Sequence, residues 1–201
     1  MRVVGIVLAA GEGRRIGGPK ALLELGGESL LVHASRILAR PGVAEVVAVL
    51  GAGADRVRTE VALPPGLLLV TNERWRDGML SSVWRGLDEA DSLRADAVLL
   101  HAVDHPFVHP QTVDRVLAAL RAGAFIAVPS HEGRRGHPGG FSRAAFPALR
   151  AATPDRGARA VIADSVGHVE HVPGDAGCVF GIDTREDHAR AAELWRGRRR
   201  T

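Results

Sequence analysis

The sequence predicts an α/β fold, a three-layer sandwich with helices on both faces of a mostly parallel sheet, from three observations. Short β-branched runs alternate with longer segments of helical period. The first run, Val3 to Ala10, is apolar throughout, as a strand buried on both faces is. No Pro- or Ser-rich linker, repeat or low-complexity stretch divides the chain. In order, the first strand spans Val3 to Ala9. A helix follows with Leu30, Ala34, Ile37 and Leu38 on one stripe; Ser29 is its N-cap and Pro41-Gly42 its stop. Strands are expected at Glu45 to Leu50 and Leu67 to Val70, then a helix carrying Leu80, Val83, Trp84 and Leu87 at i, i+3, i+4 and i+7. The strand Ala97 to Ala102 leads to a helix starting near Gln111, with Val113, Val116, Leu117 and Leu120 on its buried face. Further strands are Phe125 to Val128 and the weaker His168 to Val172 and Cys178 to Ile182. Ser130 to Gly140 reads as the longest irregular stretch. The last helix runs from about Arg185 to Arg196 with Trp195 inward.

With 201 residues, 46% of them hydrophobic and 24% charged, the chain suits one globular domain. Residues 1–196 are expected to form it and residues 197–201 a basic tail. The formal charge is only +3, and much of the excess sits in Arg196, Arg198, Arg199 and Arg200, a solvated terminus. Aromatic residues are 4% and Tyr is absent, which leaves no stacking surface for nucleic acid and excludes it as a partner. Cys178, the single cysteine, cannot form an internal disulfide and suits a reducing cytoplasm. The run Val3 to Ala10 is too short to span a bilayer, and Gly-Glu-Gly-Arg-Arg follows it in place of a cleavage site, so no membrane is expected.

In an open α/β sheet, ligands sit beyond the carboxyl ends of the strands. After the first strand, Gly11, Gly13, Gly17 and Gly18 crowd a loop with Arg14, Arg15 and Lys20. Glycines let backbone amides turn toward an anion and the cations neutralise it, so a polyphosphate is the natural guest. A dinucleotide fingerprint fails, because the third glycine comes one position late and the second strand ends in Leu50-Gly51 with no acid. A P-loop fails as well, since Pro19 separates Gly18 from Lys20 and Ala21 follows. Asp104, at the end of the strand Ala97 to Ala102, has the position of a Mg²⁺ ligand opposite a phosphate loop. His101, His105 and His109 are spaced for a helical metal site, but Pro106 and Pro110 argue against a helix there, and the three are read as structural or supporting residues.

Residues 8 to 20, L-A-A-G-E-G-R-R-I-G-G-P-K, resemble the L-A-A-G-x-x-x-R-M-G-x-x-K signature of the nucleotidyltransferase superfamily. The segment from Thr71 to Leu87 is similar to the N-x-x-W-x-x-G-M-x-x-S segment of MobA-like NTP transferases, in particular their molybdenum cofactor cytidylyltransferase branch. Asp104-His105-Pro106, Gly136-His137-Pro138, Gly157-Ala158-Arg159 and Gly181-Ile182-Asp183-Thr184-Arg185-Glu186-Asp187 match its further motifs, so the resemblance covers nearly the whole chain. It implies a Rossmann-like, nucleotide-diphospho-sugar transferase-like fold. It also implies transfer of CMP from CTP to a phosphate-bearing acceptor, molybdenum cofactor, with pyrophosphate released. Related branches use GTP or other small phosphorylated acceptors, and a nucleotide-binding accessory protein without chemistry is the alternative of another class. A molybdoenzyme or its chaperone is the implied protein partner.

By the same resemblance, Leu8, Ala9, Ala10, Gly11, Gly13, Asn72, Gly78, Ser81 and Ser82 hold the nucleotide, with Arg15 and Lys20 on the triphosphate. Mg²⁺ sits on Asp104, and Asp183 is a second ligand. Gly136, His137 and Pro138 contact the acceptor. Lys20, Arg15 and Asp104 carry catalysis, which needs no general base because the attacking phosphate is already anionic. Two departures stand out. Gly181 replaces the first Asp of D-I-D-T, and Gly139-Gly140 replace the aliphatic residues usual after G-H-P, which is expected to alter the acceptor pocket.

Overall fold

The computed structural model describes residues 1–153 and 157–198. Its strands are β1 (Val3–Ala9), β2 (Glu24–Leu25), β3 (Glu28–Ser29), β4 (Val43–Leu50), β5 (Leu67–Thr71), β6 (Ala97–Ala102), β7 (Ile126–His131), β8 (Arg134–Arg135), β9 (Gly139–Ser142) and β10 (Val169–Pro173). The helices are α1 (Leu30–Leu38), α2 (Ala54–Glu60), α3 (Met79–Ser92), α4 (Pro110–Arg121), α5 (Phe146–Ala151), α6 (Gly157–Asp164) and α7 (Arg185–Arg198). The main sheet has the order β10-β7-β9-β6-β1-β4-β5, with β8 paired to β7; β2 and β3 form a separate hairpin. β1 runs parallel to β4 and β6, whereas β9 is antiparallel to both of its neighbours. The three-layer, mostly parallel architecture is the expected one.

Alternation along β1 divides the core. Val3, Val7 and Ala9 pack with Leu31 and Leu38 of α1 and Val113 and Leu117 of α4, while Val4, Ile6 and Leu8 pack with Leu80, Val83 and Leu87 of α3. Gly86 permits this second contact, since a Cβ there would lie 2.7 Å from Ile6 Cγ2. Ser29 caps α1 by accepting from the Val32 amide at 3.3 Å, and Pro110 starts α4 at the position where a missing N–H costs nothing. These elements place the ends of β1 and β6 side by side, with the Val103 amide donating to Leu8 O at 3.2 Å.

Four expectations change. Cys178 to Ile182 is not a strand; Ala176–Val179 forms a 3-10 turn capped by Asp175, whose carboxylate accepts from Gly177 N, His109 N and Thr112 Oγ1 and so pulls the segment onto α4. Ser130 to Gly140 is not irregular, because β7 continues to His131, turns through Glu132 and Gly133 at positive φ, and returns as β8 and then β9. Gly139 and Gly140 belong to that strand; a Cβ on Gly140 would lie 2.6 Å from Val116 Cγ1, so Gly140 serves the packing of α4, while one on Gly139 would meet the Phe141 ring at 3.1 Å. Finally, α7 includes Gly197 and Arg198, with the Arg198 guanidinium 4.7 Å from the Phe107 ring centroid; Arg199, Arg200 and Thr201 of the expected tail lie outside the described residues. Trp195 packs inward as expected, edge-on to His33 at 4.6 Å. Among the described residues no helix is long and apolar enough to cross a membrane.

Candidate functional site

Beyond β1 the chain folds into a tight loop around one carbonyl. Gly13 O accepts from the amides of Ile16, Gly17 and Gly18 at 3.0 to 3.1 Å. Gly13 has φ +65° and a Cβ there would sit 1.9 Å from Gly18 O, so only glycine closes this turn. With those three amides consumed, the amides of residues 12–15 donate to no other protein group among the described residues. They are the ones open to an anion. The other wall approaches closely because residue 51 is glycine, whose Cβ would lie 2.7 Å from Ala10 O and 2.6 Å from Trp75 Cβ.

Between these walls lies a cleft of about 520 Å³, lined by Leu8, Ala10, Gly11, Gly13, Lys20, Gly78, Ser82 and Asp104 of the expected residues. The volume is ample for a nucleotide. Glu12, Arg14, Trp75, Arg76 and Met79 also line it and were not singled out as nucleotide contacts. Trp75 and Met79 stood in the quoted N-x-x-W-x-x-G-M segment, and their position in it was the available signal. Arg76 lies 4.4 Å over the Trp75 ring, and Met79 is 67% exposed, a large apolar side chain left open at the cleft mouth.

Several expected contacts are placed elsewhere. Asn72 is buried and donates to Ser81 Oγ and Ser82 Oγ at 2.8 and 3.0 Å, while its own oxygen accepts from the Arg74 amide at 2.9 Å. Ser81 Oγ in turn donates to the carbonyls of Arg74 and Gly78. Asn72 and Ser81 therefore build the loop and do not line the cleft. Ala9 is buried toward the α1 and α4 layer. Arg15 is 70% exposed and pairs with Asp183 at 3.1 Å; of the two loop arginines the one on the cleft wall is Arg14, held by Glu12 at 2.6 Å.

The charged centre is Lys20. Placed in the loop by the sequence, it opens a 3-10 turn and is only 17% exposed, its ammonium donating to Asp104 Oδ2 at 2.5 Å and Asp183 Oδ1 at 2.6 Å. Burial works against its charge, but the two carboxylates outweigh it and hold its pKa above the ordinary value. Burial likewise opposes the Asp104 charge, yet the hydrogen bond from His105 and the Lys20 charge keep that carboxyl well below the usual range. Asp183 arrives through α7: Thr184 and Asp187 form a reciprocal capping box, with Asp187 Oδ2 accepting from the amides of Asp183 and Thr184, and Ile182 N donates to Asp104 O at 3.0 Å.

Two carboxylate oxygens that converge on one ammonium fit a divalent cation in chemistry. Among the described residues no group of three or more His, Cys, Asp or Glu forms a complete cage. That suits Mg²⁺ or Mn²⁺, which take much of their shell from phosphate and water.

Behind Asp104 stand three imidazoles. His105 Nδ1 is 2.9 Å from Asp104 Oδ1, and the His137 ring is 4.3 Å from that of His105 and 5.9 Å from that of His101. Burial, then the neighbouring histidine, lowers the His137 pKa to about 3, and burial keeps His101 neutral too. Gly136, His137 and Pro138, expected to touch the acceptor, do not line the cleft. Their backbone is tied to Pro129 O and Cys178 O, the His137-Pro138 bond is cis, and the His137 Nδ1 is sealed inside. His101 lies on β6 and His109 caps α4, accepting from the Gln111 amide at 3.4 Å, so the three histidines at 101, 105 and 109 do not share a helix.

Comparison with known proteins matches residues 5–172 to the MobA-like NTP transferase domain. A Paenarthrobacter nicotinovorans protein named nicotine blue oxidoreductase is 38% identical over 165 residues, covering 78% of this chain and 79% of its own. Molybdenum cofactor guanylyltransferase of Rhodobacter capsulatus is 36% identical, with 62% of each chain covered. 2-C-methyl-D-erythritol 4-phosphate cytidylyltransferase of Streptomyces avermitilis is 35% identical over 64% of this chain and 54% of its own, so the chain spans little more than half of that relative. Among solved structures, Rv0371C of Mycobacterium tuberculosis in complex with manganese superposes with a TM-score of 0.77 at 28% identity, covering 96% of this chain and 99% of that one.

Proposed function

The chain belongs to the MobA-like NTP transferase family, and from that premise we propose that it transfers CMP from CTP to a phosphate-bearing acceptor, molybdenum cofactor, and releases pyrophosphate. One observation carries the reading: Lys20 gathers Asp104 and Asp183 at the edge of a loop whose amides at residues 12–15 have no protein acceptor among the described residues. The amides and Arg14 receive triphosphate oxygens. Leu8, Ala10, Gly11, Gly78 and Ser82 take the nucleoside side, and Asp104 with Asp183 holds Mg²⁺, which when bound neutralises phosphate charge. Lys20 and the two aspartates leave a compact centre one positive charge short of neutral, and Arg15 on Asp183 completes the balance. Catalysis is then positioning and charge stabilisation of an acceptor phosphate that needs no base.

Relatives named as guanylyl- and cytidylyltransferases support the transferase class and leave the base open. CTP is the choice supported by Ala9-Ala10-Gly11 and by the resemblance to the cytidylyltransferase branch. A second reading is favoured by the 38% identical relative named as an oxidoreductase, in which the same loop would hold the pyrophosphate of a nicotinamide dinucleotide. Both are tested by incubating the protein with Mg²⁺, CTP and molybdenum cofactor and measuring pyrophosphate, alongside NADH or NADPH oxidation with nicotine blue, the compound in that relative's name, as the electron acceptor. Pyrophosphate release that requires the acceptor supports the transferase. CTP retention without turnover would instead indicate an accessory binding protein, and nucleotide oxidation alone an oxidoreductase.

A further inference from the structure

We propose that His105 is a positioning residue that sets the orientation of the Asp104 carboxylate for the divalent cation, in space left open by the bare backbone of Gly181. The inference rests on the reading of Asp104 as a ligand of that cation. A carboxylate can rotate about its last bond, and here it is gripped from two sides. Lys20 holds Oδ2 at 2.5 Å and His105 Nδ1 lies 2.9 Å from Oδ1. An ionised carboxylate only accepts, so Nδ1 carries a proton and donates it.

The ring has little freedom of its own. His137 packs on it with 4.3 Å between centroids, and His101 stands edge-on at 6.5 Å. Its remaining side faces Gly181, where an added Cβ would lie 3.2 Å from His105 Cε1 and 3.4 Å from Nε2. Those distances are tighter than ordinary van der Waals contact, so a side chain at position 181 and the imidazole at 105 compete for one space. Gly181 does not have positive φ, and its small size is therefore explained by this neighbour and not by backbone conformation. A hydrogen bond to a metal-binding carboxylate fixes its direction, and losing such a supporting contact typically weakens metal binding about 10- to 100-fold.

The test is a titration of Mn²⁺ alone into the nucleotide-free protein, read from the free-ion electron paramagnetic resonance signal. His105→Phe keeps a flat ring between His137 and Gly181 but removes the donor, and is expected to weaken Mn²⁺ binding about tenfold or more. His105→Asn, whose amide can donate from nearly the position of Nδ1, is expected to restore most of the affinity. Gly181→Ala, which keeps the donor and crowds the ring, is expected to fall between, and it tests the inference even where the Phe variant does not fold. Wild-type affinity in His105→Phe or Gly181→Ala, or an Asn variant as weak as the Phe one, overturns the inference. If Asp104→Asn still loses Mn²⁺ in that case, the proposed function stands. If Asp104→Asn binds Mn²⁺ like wild type, the cation is not on Asp104 and both readings fall.

Discussion

Replacing Lys20 with alanine tests the site where its charges meet. The Lys20 and Asp104 side chains are 17% and 18% exposed, and Asp183 is 49% exposed. Exposed ion pairs contribute about 0–1 kcal/mol, while stripping one partner from a buried pair costs about 3–5 kcal/mol. Asp183 can rehydrate and Asp104 keeps its bond from His105, so the loss lies between these limits, at about 2 kcal/mol. For a domain of this size that corresponds to a fall in Tm of about 4–8 °C. Turnover should fall further, by on the order of 3 kcal/mol or roughly a hundredfold, if as the proposed function requires the ammonium also meets the transferring phosphates. The two losses separate with pH. The Asp104 carboxyl is held below its ordinary value in the fold, so its contribution is present above about pH 4 and is lost as pH falls through the folded value. Melting curves of wild type and Lys20→Ala should therefore differ at pH 7 and converge in acid, while pyrophosphate release reports the catalytic loss. A variant that melts with the wild type at pH 7 and keeps its kcat would refute both roles.

The remaining predictions address the metal, the base and the loop. Asp104→Asn should nearly abolish Mg²⁺-dependent turnover and Asp183→Asn should reduce it less, since Asp104 is the more enclosed and the more firmly held; activity titrated against Mg²⁺ at saturating CTP decides, and the reverse order would move the metal to the other carboxylate. CTP should exceed GTP by at least about tenfold in kcat/KM, because a pocket that pairs a pyrimidine edge leaves polar groups unpaired against a purine; equal use removes the cytidylyltransferase assignment. Gly13→Ala forces a side chain into positive φ and against Gly18 O, so it should lower stability by about 1–3 kcal/mol and raise the KM for nucleotide. A chemical denaturation midpoint and a KM both equal to wild type would show that this turn does not shape the loop.

The parts of the fold that were legible in the sequence are those whose period reflects burial. β1, β6, α1, α3 and α4 have stripes or apolar runs that only one packing satisfies. β9 was not legible, because Gly139 and Gly140 have no β-branched side chain to signal a strand, and Gly140 is glycine for the sake of Val116 and Leu120 on a helix that lies earlier in the chain. The segment Cys178 to Ile182 has the opposite fault. Its apolar residues suggest a strand, but Asp175 and its bond to Thr112, 63 residues away, turn the backbone into a 3-10 cap. In both cases the deciding contact is nonlocal, and local pattern has no access to it.

The site divides along the same line. Gly11, Gly13, Lys20 and Asp104 could be named from the sequence because a phosphate loop after one strand and an acid after another are local features. A motif, however, includes residues that build a loop together with residues that face its ligand, and spacing does not separate them. Asn72, Ser81 and His137 stand in such motifs, and each is turned into the protein by hydrogen bonds or burial. Asp183 shows the converse. Gly181 stands where the motif has an acid, and the capping box at the start of α7 and the bond from Ile182 to Asp104 O bring Asp183 onto the same lysine as Asp104. The glycine at position 181 leaves room that the His105 ring fills, since a Cβ there would lie 3.2 Å from His105 Cε1, so two positions 76 residues apart share one space.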